Sequence, residues 1–218
     1  MLTGTKQRLR AVVMPLARAM ARLGVSPDAL TGAGLVTAAC GGVTIALGRP
    51  ALGALWLLLN ALCDILDGDV ARLTRRHASR FGAFFDSTAD RVSEAFIFGG
   101  LLIGKSLHGA GTDWVWMLFW LLAFTGSMLV SYARARAEGL GLSCSVGIAD
   151  RSLRMVIVII MLFTGYGRSG AFLAVLALLA WFTVGQRVVH VGRLARLSDR
   201  ELQARAPAGA PQREESRG

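Results

Sequence analysis

Apolar residues run along this chain in six blocks, at roughly 30–48, 51–72, 82–106, 114–136, 152–168 and 170–190, separated by short polar connections. Each block comes close to the ~20 residues a helix needs to cross a hydrocarbon core. A different pattern precedes them at 6–23. There Leu9, Val12, Val13, Leu16, Met20 and Leu23 share one helical stripe, with Lys6, Arg8, Arg10, Arg18 and Arg22 elsewhere. This predicts an amphipathic helix lying in the membrane interface, its basic face toward anionic headgroups. Arg18 and Arg22 interrupt any apolar core long enough for a signal peptide, and Pro15 marks a kink or an early break. From Ser198 the chain is rich in Arg, Glu, Ala and Pro, which predicts a solvated, disordered tail over 198–218. The expected fold is one all-α integral membrane domain over 1–197, six transmembrane helices preceded by an interfacial helix.

Composition agrees. The 218 residues are 54% hydrophobic, with a mean hydropathy of +0.52, which excludes a soluble protein with an ordinary core. A net charge of +10 raises the question of nucleic acid, but the basic residues sit between apolar spans and fit a membrane protein instead. With the N-terminus inside, the outer connections carry only Arg49, Lys105 and Arg168, leaving 24 − 3 = 21 basic residues at or near the inner side. Such asymmetry predicts both termini in the cytoplasm of a multi-pass cell-membrane protein. Trp114 and Trp116 open the fourth span where an aromatic belt would lie. Cys40, Cys63 and Cys144 have no metal-like spacing and read as small buried hydrophobes.

Against this apolar background, residues 64–90 stand out. Asp64 and Asp67 are three apart, and Asp86 and Asp90 four apart, so each pair shares one face of its helix. Carboxylates in apolar sequence are costly and mark function. Four acids converging from two helices suit a hard, oxygen-liganded cation such as Mg²⁺, with Mn²⁺ as an alternative. Gly68 and Ala71 allow close approach, and Arg72 follows as a fixed cation. Since the acids lie near one end of their spans, they are expected to line a polar cavity at one membrane face, with the active site on the cytoplasmic side. A second polar group falls between spans four and five: Ser131-Tyr-Ala-Arg134-Ala-Arg-Ala-Glu138, then Asp150-Arg151-Ser-Leu-Arg154, with Arg187 in the last span. Arginines so placed can hold phosphate oxygens in bidentate fashion. Asp69 is expected at the surface or paired with an arginine, and Glu94 bonded to a neighbouring helix.

The stretch Asp64-x2-Asp67-Gly68-x2-Ala71-Arg72-x9-Gly82-x3-Asp86-x3-Asp90 resembles the signature of the CDP-alcohol phosphatidyltransferase family, with every fixed position present. The resemblance implies Mg²⁺-dependent transfer of a phosphatidyl group from CDP-diacylglycerol to an alcohol, with release of CMP. It implies metal ligation by Asp64, Asp67, Asp86 and Asp90, with Asp90 also the general base. It assigns Asp28, Ala29, Leu30, Thr31, Gly68, Arg72 and Ser79 to the donor, and suggests a homodimer. Residues 131–138 and 147–154 are similar to the inositol phosphate branch, which implies inositol 1-phosphate as acceptor, held by Arg134, Arg151, Arg154 and Arg187. Arg134 stands where that branch has Lys, and Asp150 where it often has Glu. Glycerol 3-phosphate, the substrate of a phosphatidylglycerophosphate synthase, satisfies the charge equally well. From another class, a divalent-cation channel or transporter could use an acidic ring, but it requires acids along a through-path.

Overall fold

The computed structural model describes residues 13–74, 79–109 and 111–205. The helices are α1 (13–22), α2 (Pro27–Ala46), α3 (Pro50–Leu73), α4 (Arg80–His108), α5 (Trp114–Gly139), α6 (Arg151–Thr164) and α7 (Ser169–Arg205), with a 3-10 turn at Tyr166–Arg168 before α7. Local chemistry sets their starts. Ser26, Ser79, Asp113 and Asp150 each accept a first-turn backbone N–H, from Ala29, Gly82, Trp116 and Leu153 respectively, and Pro27 and Pro50 open α2 and α3. Gly48 and Gly165, at φ 80° and 77°, supply the left-handed residue at turns where a side chain would be strained.

The six apolar blocks become the six helices α2 to α7. Among the described residues, α2, α3, α5 and the stretch Tyr166–Ser198 are long and apolar enough to cross a membrane. The α4 helix has the length, 29 residues, but carries Asp86, Asp90, Arg91 and Glu94 in its first half. The fifth block yields a shorter helix than its apolar length suggests. Gly165 ends α6 after 14 residues, about 21 Å of helix, and the 3-10 turn completes the block. At the other extreme α7 runs unbroken to Arg205, so the disordered tail expected from Ser198 does not begin there; 206–218 lie outside the described residues. Of the N-terminal helix expected over 6–23, residues 6–12 also lie outside. Its described part buries Val13 and Ala17 against Leu30, Leu66 and Val70, while Leu16 and Leu23 are exposed. The buried stripe among the described residues is therefore narrower than the sequence pattern, and the helix runs through Pro15 from residue 13 to residue 22.

Packing gathers the ends. The α2 and α4 helices run parallel and touch backbone to backbone: a Cβ added to Gly100 would lie 2.2 Å from the Gly42 carbonyl oxygen, and one added to Gly42 2.5 Å from that of Phe96. Antiparallel to α2, α3 is fixed in register by Asn60, buried, whose amide donates to the Gly34 carbonyl at 2.8 Å. Beside them α5 and α7 run parallel, Trp116 donating to Ser169 and Trp181 to the Leu122 carbonyl. The core lies between these layers, around Leu57, Leu101, Met161, Leu162, Leu173 and Leu176. Many large apolar side chains stay exposed, among them Leu55, Leu59, Leu118, Leu121, Leu178 and Phe182, as lipid-facing residues do. This arrangement brings the N-terminal ends of α2, α4 and α6 to the C-terminal end of α3.

Candidate active site

At that shared end the acids meet. One oxygen from each of Asp64, Asp67 and Asp86 lies within 4.8 Å of the others, a spacing that suits a single hard cation. The helical periods deliver them: one turn of α3 carries Asp64 and Asp67, and the second turn of α4 carries Asp86. The Thr31 hydroxyl on α2 donates to Asp67 Oδ2 at 3.0 Å, so the first turn of α2 orients one carboxylate. Asp90 lies outside this group of three. Its Oδ1 is 2.6 Å from Arg151 Nη2, and its Oδ2 is 3.4 Å from Arg91 Nη2. Arg151 also reaches Asp64 Oδ1 at 2.7 Å through Nη1, so one guanidinium spans both motif helices.

A cavity of about 530 Å³ opens beside the acids, lined by Asp28, Thr31, Asp67, Gly68, Ala71, Ser79, Gly82 and Asp86 among others. Four of the seven residues assigned to the donor, Asp28, Thr31, Gly68 and Ser79, are in that wall. Ser79 doubles as the N-cap of α4, and a Cβ on Gly82 would come within 2.9 Å of Asp28 Oδ1, so the glycine keeps the mouth open. The other three sit differently. Ala29 is exposed on the first turn of α2, Leu30 is buried against Leu66 and Val70, and Arg72 turns to Asp69 at 2.6 Å. Asp69 is thus buried and arginine-paired, not at the surface.

The four arginines expected to bind the acceptor are brought to the same end but do not share one open face. Arg151 is on the acids. Arg154, 3% exposed, donates to Glu94 Oε1 at 2.7 Å and to the Ala149 carbonyl at 3.0 Å. Arg187 is buried too, its Nε donating to the Val146 carbonyl at 3.0 Å and its Nη1 to that of Val130. Arg134 is exposed and paired with Glu138 at 2.8 Å. Arg154 and Arg187 therefore brace the connection between α5 and α6, where Thr183 also receives the Ala149 N–H. The reason is physical: a buried guanidinium must be paired and hydrogen-bonded, and the partners within reach are interior ones. Glu94 links α4 to α6, as its spacing on the Asp86–Asp90 stripe suggests. Arg154→Gln is accordingly expected to cost about 3–5 kcal/mol of stability by orphaning a buried carboxylate, visible as a lowered unfolding temperature. A change confined to acceptor affinity, with no loss of stability, would contradict this bracing role.

Sequence reasoning overlooked Asn60 and Arg91. Asn60 stands one helical turn before Asp64, and Arg91 directly follows Asp90, so both spacings were readable; neither revealed its partner.

A family model described as CDP-alcohol phosphatidyltransferase matches residues 24–191. The chain is 35% identical over 195 residues to an archaetidylinositol phosphate synthase of Methanothermobacter thermautotrophicus, covering 88% of this chain and 94% of that one. It is 37% identical over 199 residues to a phosphatidylinositol phosphate synthase of Cutibacterium acnes, covering 84% and 93%. Among solved structures, phosphatidylinositol phosphate synthase of Mycobacterium tuberculosis with CDP-DAG bound superposes with a TM-score of 0.74 at 31% identity, over 83% of this chain and 94% of that one. The same enzyme in complex with manganese and citrate gives 0.73 at 32% identity, over 82% and 88%.

Proposed function

The chain belongs to the CDP-alcohol phosphatidyltransferase family, and from that premise we propose that it transfers a phosphatidyl group from CDP-diacylglycerol to inositol 1-phosphate, yielding phosphatidylinositol phosphate and CMP. The observation that carries this reading is the convergence of Asp64, Asp67 and Asp86 beside an open cavity, with Arg151 and Asp90 at its inner edge. Three carboxylate oxygens at this spacing fit Mg²⁺ or Mn²⁺, which when bound neutralises the donor pyrophosphate and stabilises the departing CMP. Asp28, Thr31, Gly68 and Ser79 frame the nucleotide, Arg72 reaches its phosphates by leaving the ion pair with Asp69, and Ala29 and Leu30 shape the first turn of α2 beneath it. Asp90 accepts the proton of the acceptor hydroxyl as its oxygen attacks the phosphatidyl phosphorus and the bond to CMP breaks. Arg151 and Arg134 present the cations for the acceptor's phosphate; Arg154 and Arg187 hold the α5–α6 connection that positions them.

Inositol phosphate is favoured over glycerol 3-phosphate by the names of the two curated relatives, which share that headgroup although their lipids differ. All six helices α2 to α7 cross the membrane in this reading, α6 with the help of the 3-10 turn that follows it, α1 lies along the cytoplasmic interface, both termini are cytoplasmic, and the enzyme works as a homodimer. The acids gather at one end and not along a path, which removes the support for a channel. Purified protein with a divalent cation and CDP-diacylglycerol is expected to release CMP on adding inositol 1-phosphate. Turnover with glycerol 3-phosphate and none with inositol 1-phosphate would falsify the acceptor while sparing the family.

A further inference from the structure

We propose that Arg151 is a guard on Asp90 that the acceptor's own phosphate removes, so that the base becomes available when an alcohol phosphate is bound and is withheld from water. The inference rests on the reading that the acceptor carries a phosphate. Both oxygens of Asp90 face cations: Oδ1 is 2.6 Å from Arg151 and Oδ2 is 3.4 Å from Arg91. A general base must come within about 2.6–3.2 Å of the group whose proton it takes; each carboxylate oxygen keeps a second lone pair, but the short Arg151 contact crowds Oδ1 and neutralises the charge that would draw the proton. Arg91 is the adjacent residue on the same helix and its contact is long. Arg151 comes from another helix, makes the short contact, and divides its fork between Asp90 and Asp64.

That division makes the guard removable. Arg151 gives each carboxylate one N–H, whereas a dianionic phosphate can take both in the parallel, bidentate arrangement a guanidinium prefers. The side chain is 24% exposed, so an incoming anion can reach it, whereas Arg154 three residues on is sealed against Glu94. Asp64 would lose little by the exchange, because the group of three acids to which it belongs could give it a divalent cation as alternative partner. The device answers a chemical hazard. If Asp90 were free while the donor alone was bound, water could attack the phosphatidyl phosphorus, pass its proton to Asp90 and expel CMP, leaving phosphatidic acid. A guard displaced by phosphate makes such hydrolysis slow and also disfavours alcohols that lack a phosphate.

The test uses the full chain in detergent with Mn²⁺ and CDP-diacylglycerol. Arg151→Gln is expected to raise CMP release without acceptor about tenfold over wild type, to lower transfer to inositol 1-phosphate, and to bind Mn²⁺ several-fold more tightly as Asp64 loses its competing cation. Arg134→Gln, which touches neither Asp64 nor Asp90, is expected to lower transfer with no rise in hydrolysis. The guard is overturned if Arg151→Gln retains Mn²⁺ binding but hydrolyses no faster than wild type, or if Arg134→Gln hydrolyses equally fast. Should the glutamine variant not fold, Arg151→Lys is read instead; a lysine keeps the charge but lacks the fork that gives each acid its own nitrogen, so a smaller rise is expected and none overturns the idea. Failure of the functional reading looks different, since wild type itself then releases no CMP with either alcohol phosphate.

Discussion

Asp64→Asn, Asp67→Asn and Asp86→Asn are each expected to lower turnover by at least about 100-fold, since changes merely behind a metal ligand already cost 10- to 100-fold. Each removes one charged oxygen from a group of three held within 4.8 Å, and the remaining two acids cannot make up the loss for a hard cation. The variants should differ in their side effects. In Asp67→Asn the new amide oxygen can still accept the Thr31 hydroxyl, so the first turn of α2 stays anchored. Asp64→Asn leaves Arg151 with only one full carboxylate charge and so loosens α6 against α3. Titration with Mn²⁺ alone, beside turnover, separates metal loss from misfolding. Full activity in any of the three at low metal concentration removes that residue from the metal site.

Asp90→Asn is expected to lower turnover by about 10²- to 10⁴-fold, the usual contribution of a positioned base, with donor affinity kept. The amide oxygen can still accept from Arg151, and none of the three clustered oxygens is altered. Binding of CDP-diacylglycerol in the presence of Mn²⁺ is the check. If donor affinity collapses together with turnover, Asp90 acts chiefly as a metal ligand. The same variant should also abolish any acceptor-free hydrolysis seen in Arg151→Gln, because both reactions need the same carboxylate.

A good part of this was readable in one dimension. Helical period alone put Asp64 with Asp67 and Asp86 with Asp90, and the apolar blocks located six helices, four of whose stretches are long and apolar enough to cross a membrane. The caps Ser26 and Asp113 are local too, since capping depends on residues within one turn, although only the structure identified them as helix starts. What spacing left open was length where a backbone feature intervenes: Gly165 cuts α6 short, and the absence of a breaker before Arg205 lets α7 run on.

Sequence by itself determined which residues share a helix face, and with that the acidic motif, the small residues around it and the membrane character of the chain. Only the tertiary structure decided which face meets which. Arg151 finds Asp64 across 87 positions, and Arg154, three residues away and alike on paper, turns inward to Glu94. That outcome depends on the rotation and depth of α6 against α3 and α4. Close backbone contacts such as Gly42 on Gly100 help to set the frame by steric fit, a non-local quantity that no periodicity encodes. The same frame turned Arg187 toward the Val130 and Val146 carbonyls, since a guanidinium carried into the interior must satisfy its N–H groups there.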